Sequence, residues 1–313
     1  LDLHLFINLT YLDINYSNRL DSIFDPLPFI KLRYLKLGFA KVMIGSGNFP
    51  TSLEIAEFNH CVFDHVSVVS HVAVLSFLNC RGEGFHNVSS LSTVHKLRLD
   101  GLQELEDVSA LVAVYELSLI SCRNVKDISK LGRVHRLRVC NCGVTSLEGL
   151  GQGNSEVYLS GLATVDFTPL KSVYKVSLDY CTALVDGKDV ADVKHLSITR
   201  CCNFEDTSAL GKVKSLYLME CHKISKLVGL EDVPHVHLER CNELEDIDCL
   251  GKQQVLIISY CRKLHELMKE DRKIGKYDEM FDGIPFVRID PRVSIRRDYF
   301  RSSLFPEIFS EKI

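Results

Sequence analysis

The chain lacks the marks of several common protein classes. It has no tryptophan, four methionines and eight prolines among 313 residues. Its longest apolar stretch, residues 66–78, is about a dozen residues long and contains His71, whereas a membrane-spanning helix needs roughly 20 apolar residues. We therefore expect no membrane span. Because the chain starts at Leu1, inside a strand-like pattern, the N-terminus says nothing about targeting.

Charge of neither sign dominates. The chain has 37 Lys and Arg residues against 41 Asp and Glu residues, a formal net charge of -4. It also lacks a sustained basic run. Since affinity for nucleic acids comes mainly from neutralising phosphates with Lys and Arg, we expect no nucleic-acid partner.

Motifs that carry chemistry are also missing. The sequence contains no G-x-S-x-G, H-E-x-x-H or phosphate-binding G-x-x-x-x-G-K-S/T pattern. Its two glycine-rich stretches, 45–47 and 149–153, do not complete a phosphate-binding loop. The sequence thus predicts a protein that is not an enzyme, without catalytic residues, cofactor or metal.

A repeat of 20 residues fills the middle of the chain. Its pattern V-x-x-L-x-L starts at Val94, Val114 and Val134, weakens near residues 157–162 and fades at Gln253. In between it returns at Val173, Val193, Val213 and Val233. One column of the repeat holds eight cysteines: Cys80, Cys122, Cys142, Cys181, Cys201, Cys221, Cys241 and Cys261.

This pattern resembles the leucine-rich repeat family, whose signature is L-x-x-L-x-L-x-x-N/C-x-L. The matching residues are Val94, Leu97, Leu99, Leu102 and Leu105. Residues 107–111 are similar to the D-I-S-P-L segment of internalin-type repeats, and residues 38–39 with 48–53 are similar to one FNIP-type repeat. The resemblance implies a mostly β repeat solenoid of the α/β type, a curved right-handed superhelix with a parallel concave sheet.

The repeat length sets the architecture. One coil cannot bury its apolar residues alone, so coils stack at roughly 4.8 Å and build a continuous core. A period of 20 residues leaves little room for helix on the convex side. We expect degenerate longer repeats in residues 1–71, about ten regular coils in 72–267, and a C-terminal cap and tail in 268–313. Segments 12–14, 35–37 and 53–55 are the expected strands of the degenerate repeats.

The cysteine column allows three interpretations: buried reduced thiols, disulfides between stacked neighbours, or a metal site. Zinc needs four converging ligands, and a column is a line. The pattern favours buried thiols, and therefore an intracellular, cytoplasmic location.

An aspartate column favours a structural role. We expect these carboxylates to accept backbone N–H bonds in Asx turns. They are Asp107, Asp127, Asp186, Asp206 and Asp246.

Alternation along the strands predicts which residues could bind a partner. Side chains beside the inward leucines point outward onto the concave sheet. The candidate partner-binding residues are Lys96, Arg98, Arg136, Arg138, Tyr158, His195, Tyr217, Met219, His235 and His237. Together they suggest an acidic and apolar protein partner. We expect the replacement of Tyr217 by Ala to leave stability unchanged.

Three functions remain open. The preferred one is a non-enzymatic protein-interaction scaffold that uses its concave face. The second is a substrate-recognition arm of a larger enzyme or of an F-box-type ubiquitin ligase adaptor, with a domain ahead of Leu1. The third is a structural spacer. In the tail, Arg292, Arg296, Arg297 and Arg301 form a small basic patch, for which a docked cap is the preferred interpretation.

Overall fold

The computed structural model describes residues 7–15, 29–42, 49–163, 165–271 and 284–290. The glycines at 45–47 and the tail arginines lie outside these ranges. The chain divides into two compact units, 1–174 and 175–313.

The described residues of the first unit form ten short strands, of which eight make a parallel sheet in the order β1-β2-β4-β6-β7-β8-β9-β10. The remaining two, β3 and β5, pair with each other. The strands are β1 Tyr11–Asn15, β2 Tyr34–Gly38, β3 Lys41–Val42, β4 Ile55–Asn59, β5 Val62–Phe63, β6 Val74–Leu78, β7 Lys96–Asp100, β8 Glu116–Ile120, β9 Arg136–Cys140 and β10 Glu156–Ser160.

Where the structure describes it, the second unit has six strands, and neighbours in the chain pair in parallel. They are β11 Lys175–Asp179, β12 His195–Thr199, β13 Ser215–Met219, β14 His235–Glu239, β15 Val255–Ser259 and β16 Phe286–Asp290. One α-helix, α1 Arg262–Asp271, lies between β15 and β16. The predicted mostly β fold with a parallel sheet is confirmed.

The sequence repeat determines the strand register. Leu97, Leu117 and Leu137 are partners on successive strands, and each is 2% exposed or less. Inward leucines alternate with outward polar residues, as expected for a sheet with one buried face. The residue after most strands has a left-handed backbone, for example Ser121 (φ 53°) and Arg200 (φ 52°).

The side of the core opposite the sheet carries short 3-10 turns. They are Val66–Val69, Glu83–Phe85, Ser89–Leu91, Ser109–Ala113, Ser129–Arg133, Thr168–Ser172 and Lys188–Val190. Among the described residues α1 is the one α-helix, so the expectation of little helix is confirmed.

The predicted Asx turns start several coils. The backbone N–H of Ser109 donates to Asp107 Oδ1 at 2.8 Å, and Asp127 accepts likewise from Ser129. Hydrogen bonds hold the pKa of both carboxyls below the usual range. The bond from the backbone N–H has the largest effect, and the bond from the serine hydroxyl comes next. The same turn forms at Asp186, Asp206 and Asp246. The structural role of this column is confirmed.

The degenerate N-terminal repeats include one wrong strand prediction. The strand expected at 53–55 is β4 at Ile55–Asn59. Leu53, 2% exposed, occupies instead the leading position two residues before a strand, as Leu32 and Val72 do. The spacing between strand starts varies here from 19 to 23 residues, so the 20-residue template does not align.

The predicted domain boundaries stay predictions. β4 pairs with β6 across residues 71 and 72, and α1 crosses residues 267 and 268. Beyond α1, β16 pairs with β15 and places Val287 beside Leu256.

Candidate protein-interaction surface

All ten candidate residues lie at the first, third or fifth position of a strand, on the sheet face that points away from the core. We call this the outer face. The units carry five each. The first-unit patch comprises Lys96, Arg98, Arg136, Arg138 and Tyr158. The second-unit group comprises His195, Tyr217, Met219, His235 and His237.

Charges on the first-unit patch pair with acids on the same face. Lys96 Nζ lies 3.1 Å from Glu116 Oε2 on the next strand, and an Arg136 guanidinium nitrogen lies 3.5 Å from Glu156 Oε1. Within β7, Arg98 donates to Asp100 at 2.9 Å. Three carboxylates therefore offset most of the charge of the four cations. The four expected cations do lie on this face, and their role in partner binding stays a prediction.

The centre of the patch is a cation–π pair. Arg138 and Tyr158 are register partners on β9 and β10. The guanidinium carbon of Arg138 lies 4.3 Å from the centroid of the Tyr158 ring. Both side chains are half-buried, so the pair is held in place while part of it still faces outward.

A stack of three rings lies along one border of the patch. The rings of His95 and Tyr115 are 4.8 Å apart between centroids, and those of Tyr115 and His135 are 4.6 Å apart. Each residue directly precedes a strand, and Tyr115 is 38% exposed. The sequence analysis did not assign these residues to the site. Their 20-residue spacing is the sequence signal from which their alignment could have been predicted.

The second-unit group is less accessible than expected. Tyr217 is 4% exposed and His237 is 7% exposed. His195, Met219 and His235 are half-buried. The expectation that Tyr217 and His237 lie open on the sheet is wrong.

Burial also changes the ionisation of these groups. It lowers the pKa of His237 to about 3, with a smaller effect from the charge of Arg288, so His237 is neutral at pH 7. The hydroxyl of Tyr217 donates to Glu239 Oε2 at 2.7 Å. Burial, and then the charge of Glu239, raise the pKa of Tyr217 well above its usual value. The pKa of His195 is lowered by burial and by neighbouring cations.

A ladder of side chains that the sequence analysis did not predict lies directly after the strands of the second unit. It consists of Tyr180, Arg200, Glu220, Arg240 and Tyr260, all with left-handed backbones. Arg200 lies 4.2 Å from the Tyr180 ring centroid, and Arg240 pairs with Glu220 at 3.1 Å. The ladder is held internally by these pairs.

The cysteine column lies in the core and has nine members, because Cys61 joins the eight expected. All are buried except half-buried Cys142, and all twelve cysteines of the chain are free thiols. The Cys122 thiol donates at 3.4 Å to the carbonyls of Leu99 and Ile120. Seven of the nine thiols link their own strand end to the preceding coil in this way, which explains the column.

The described residues lack both a metal-binding cluster and a membrane-spanning helix. They contain no group of three or more His, Cys, Asp or Glu side chains that could hold a metal ion. They also contain no helix long and apolar enough to cross a membrane.

Comparisons with known proteins show similarity at the level of structure. No protein-family model and no curated protein match the chain. The functional domain of InlJ from Listeria monocytogenes, which includes a cysteine ladder, matches 83% of the chain at 15% identity with a TM-score of 0.51. The chain spans 60% of the length of that domain.

Two further solved structures match with lower scores. The internalin InlF from Listeria monocytogenes is 14% identical, with 63% of this chain and 81% of that chain covered and a TM-score of 0.39. A leucine-rich-repeat protein from Leptospira interrogans is 13% identical, with 91% and 97% covered and a TM-score of 0.46.

Proposed function

We propose, for a chain that has the leucine-rich-repeat fold, a non-enzymatic role as a protein-interaction scaffold whose partner binds the first-unit patch. The observation that carries the proposal is the half-buried Arg138–Tyr158 pair. The ring stack of His95, Tyr115 and His135, in which His95 and Tyr115 are exposed, lies along one border of the same patch. Tyr and Arg held in fixed positions are the residue types that supply most binding energy at protein interfaces.

The chemistry of the patch favours a protein over a nucleic acid. Lys96, Arg98 and Arg136 already have carboxylate neighbours, so few cations remain to neutralise phosphates. A partner surface of mixed apolar and polar character fits better than a strongly acidic one. Association should accordingly depend only weakly on salt.

Replacing Tyr158 by Ala should weaken binding of the native partner by more than about 1 kcal/mol, because an interfacial tyrosine that stacks on Arg138 loses both apolar contact and the cation–π pair. Partners are first identified by quantitative capture from native extract with wild-type protein. The dissociation constant of each purified partner is then measured by calorimetry.

The matched control is Tyr11→Ala. Tyr11 is also on the outer face, is 57% exposed, and lies on β1, several strands from the patch. The control should bind as wild type does, and both variants should keep the wild-type circular dichroism. Equal affinity of Tyr158→Ala and wild type for every captured partner would refute this site.

We further propose that the protein works in a reducing, intracellular compartment, because eight of the nine column cysteines are buried and none of the nine is in a disulfide. A thiol reagent should label exposed Cys202 first, half-buried Cys249 and Cys142 slowly, and the buried column cysteines only after unfolding. Mass spectrometry of labelled peptides measures each rate.

The contrary outcome is a disulfide in the native protein. To detect one, the protein is isolated with its thiols blocked, digested without reductant and analysed by mass spectrometry. A Cys221–Cys241 disulfide in most molecules would place the chain in an oxidising compartment.

The sequence also has acceptor patterns for N-glycosylation. One of them, at Asn87, already serves a turn, since the side chain accepts the backbone N–H of Ser89 at 3.0 Å.

A further inference from the structure

The residues that directly follow β11 to β15 are large, although their backbone conformation disfavours large side chains. They are Tyr180, Arg200, Glu220, Arg240 and Tyr260, with φ between 51° and 58°, and we call them the second-unit ladder. A left-handed backbone brings Cβ close to the following carbonyl oxygen, a contact that glycine avoids and that asparagine tolerates. Five large residues in succession therefore run against the local conformational preference.

The first unit shows that its regular coils fold without large side chains at this position. The residues directly after β6 to β10 all have positive φ, and they are Asn79, Gly101, Ser121, Asn141 and Gly161. Larger residues follow β2 and β4, where Phe39 and His60 stack at 4.8 Å between ring centroids. Since regular coils fold with Gly, Ser or Asn here, the five large residues of the second unit point to a role beyond folding.

Contacts at one end of the ladder hold an aromatic ring in place. Arg200 donates through Nε and Nη2 to the two carboxylate oxygens of Asp179 at 2.9 and 2.7 Å. Its guanidinium carbon lies 4.2 Å from the Tyr180 ring centroid, and Nη1 donates to the Tyr180 hydroxyl at 3.1 Å. Tyr180 is nonetheless 51% exposed, so a fixed aromatic ring faces solvent.

The other arginine of the ladder keeps hydrogen-bonding capacity. Arg240 is exposed and donates through Nη1 to Glu220 at 3.1 Å, and its guanidinium carbon lies 5.6 Å from the Tyr260 ring centroid. Because a guanidinium has five N–H donors, others can reach a carbonyl or carboxylate of another molecule. Exposed ion pairs and cation–π contacts add little stability, so these pairs do not explain the large residues.

We propose that the second-unit ladder is an interaction surface for a protein partner without strong net charge. Both arginines already have carboxylate neighbours, at 2.7 Å for Arg200 and 3.1 Å for Arg240, so the surface offers little net charge to a polyanion. Tyr and Arg in fixed positions are residue types that contribute strongly to protein interfaces. The partner should place apolar side chains against the Tyr180 ring and hydrogen-bond acceptors at Arg240.

This surface shares no residue with the first-unit patch and lies in the other unit. Variants of Tyr158 test the patch, whereas variants of the ladder test this surface. Either site can therefore fail while the other holds.

A stability comparison tests whether the ladder serves folding or a partner. In the triple variant Tyr180→Asn, Glu220→Asn, Arg240→Asn, each large residue becomes one that accepts the left-handed backbone. Arg200 is left unchanged, because Asp179 is 6% exposed and accepts its bidentate bond. The urea midpoint of unfolding should equal or exceed that of wild type. A midpoint below wild type would show that the large side chains serve the fold, and it would overturn the proposal.

Photo-cross-linking of the full chain in native extract tests for the partner itself. A benzoylphenylalanine in place of exposed His222, two residues after Glu220, should join the chain to another protein. The same group in place of exposed Lys252, ahead of β15, is the matched control and should not. With the asparagine triple variant, the yield at position 222 should fall at least about fivefold.

Four results of the cross-linking would overturn the proposal. They are equal yields at positions 222 and 252, a yield at 222 that the triple variant leaves unchanged, a product that nuclease removes, and a product that consists of two copies of this chain. A yield at 222 that depends on the ladder, in a variant as stable as wild type, supports it.

Discussion

Replacing Leu238 with Ala should lower the free energy of unfolding by about 2 to 5 kcal/mol, the usual cost of truncating a fully buried leucine. Leu238 is 0% exposed and stands between Leu218 and Ile258 on the adjacent strands. Because each coil is stabilised mainly by its two neighbours, the loss should spread to them. Chemical denaturation measures the total change, and hydrogen exchange measures its extent along the chain.

Val228→Ala provides the comparison for Leu238. Val228 belongs to the same unit and is 40% exposed, so its truncation should change stability by no more than about 0.5 kcal/mol. Hydrogen exchange in the Leu238 variant should accelerate in β13, β14 and β15 before the rest of the unit. A Leu238 variant as stable as the Val228 variant would show that the inward columns are assigned incorrectly.

The periodic part of the chain could be predicted because one physical requirement acts on every coil. Each coil must bury the same positions against its neighbours, so Leu97, Leu117 and Leu137 recur at 20-residue spacing and become register partners. The turn carboxylates recur for the same reason, since every coil must start its return segment. Where the spacing varies, as before β4, a fixed template places the strand incorrectly.

Side-chain pairing on the outer face was predictable in part. Lys96, Glu116, Arg136 and Glu156 occupy the first position of four successive strands, and stacking at one position brings opposite charges together. The 20-residue spacing therefore could have predicted the ion pairs, although the sequence analysis considered only the cations. The position of Asn154, by contrast, could not be predicted from the repeat. It takes the place of the leading valine, is 5% exposed, and satisfies its amide on backbone groups, accepting from Gly151 and donating to Leu131.

Burial of the outer face could not be predicted from the strand pattern. Alternation determines which face a side chain occupies, but it contains no information about what covers that face. Tyr217 has the same strand position as Tyr158, and the repeat treats the two residues as equivalent. Their difference in exposure is a property of the structure that the repeat does not contain.

Tyr217→Ala should therefore destabilise the protein, in contrast to what the sequence alone suggested. Truncating a buried aromatic side chain usually costs about 3 to 5 kcal/mol, and Tyr217 also loses the 2.7 Å hydrogen bond to Glu239. Tyr217→Phe keeps the ring and should cost only about 1 kcal/mol, the typical net value of one hydrogen bond.

Tyr158→Ala is the matched control for this effect, because Tyr158 has the equivalent position and is half-buried. Its truncation removes mainly the cation–π pair with Arg138 and should cost about 1 kcal/mol or less. Denaturant titrations of the three variants at pH 7 compare these free energies directly. Since the strand position and residue type are matched, a larger loss at Tyr217 reports its deeper burial, whereas equal losses at Tyr217 and Tyr158 would show that the two side chains are equally accessible.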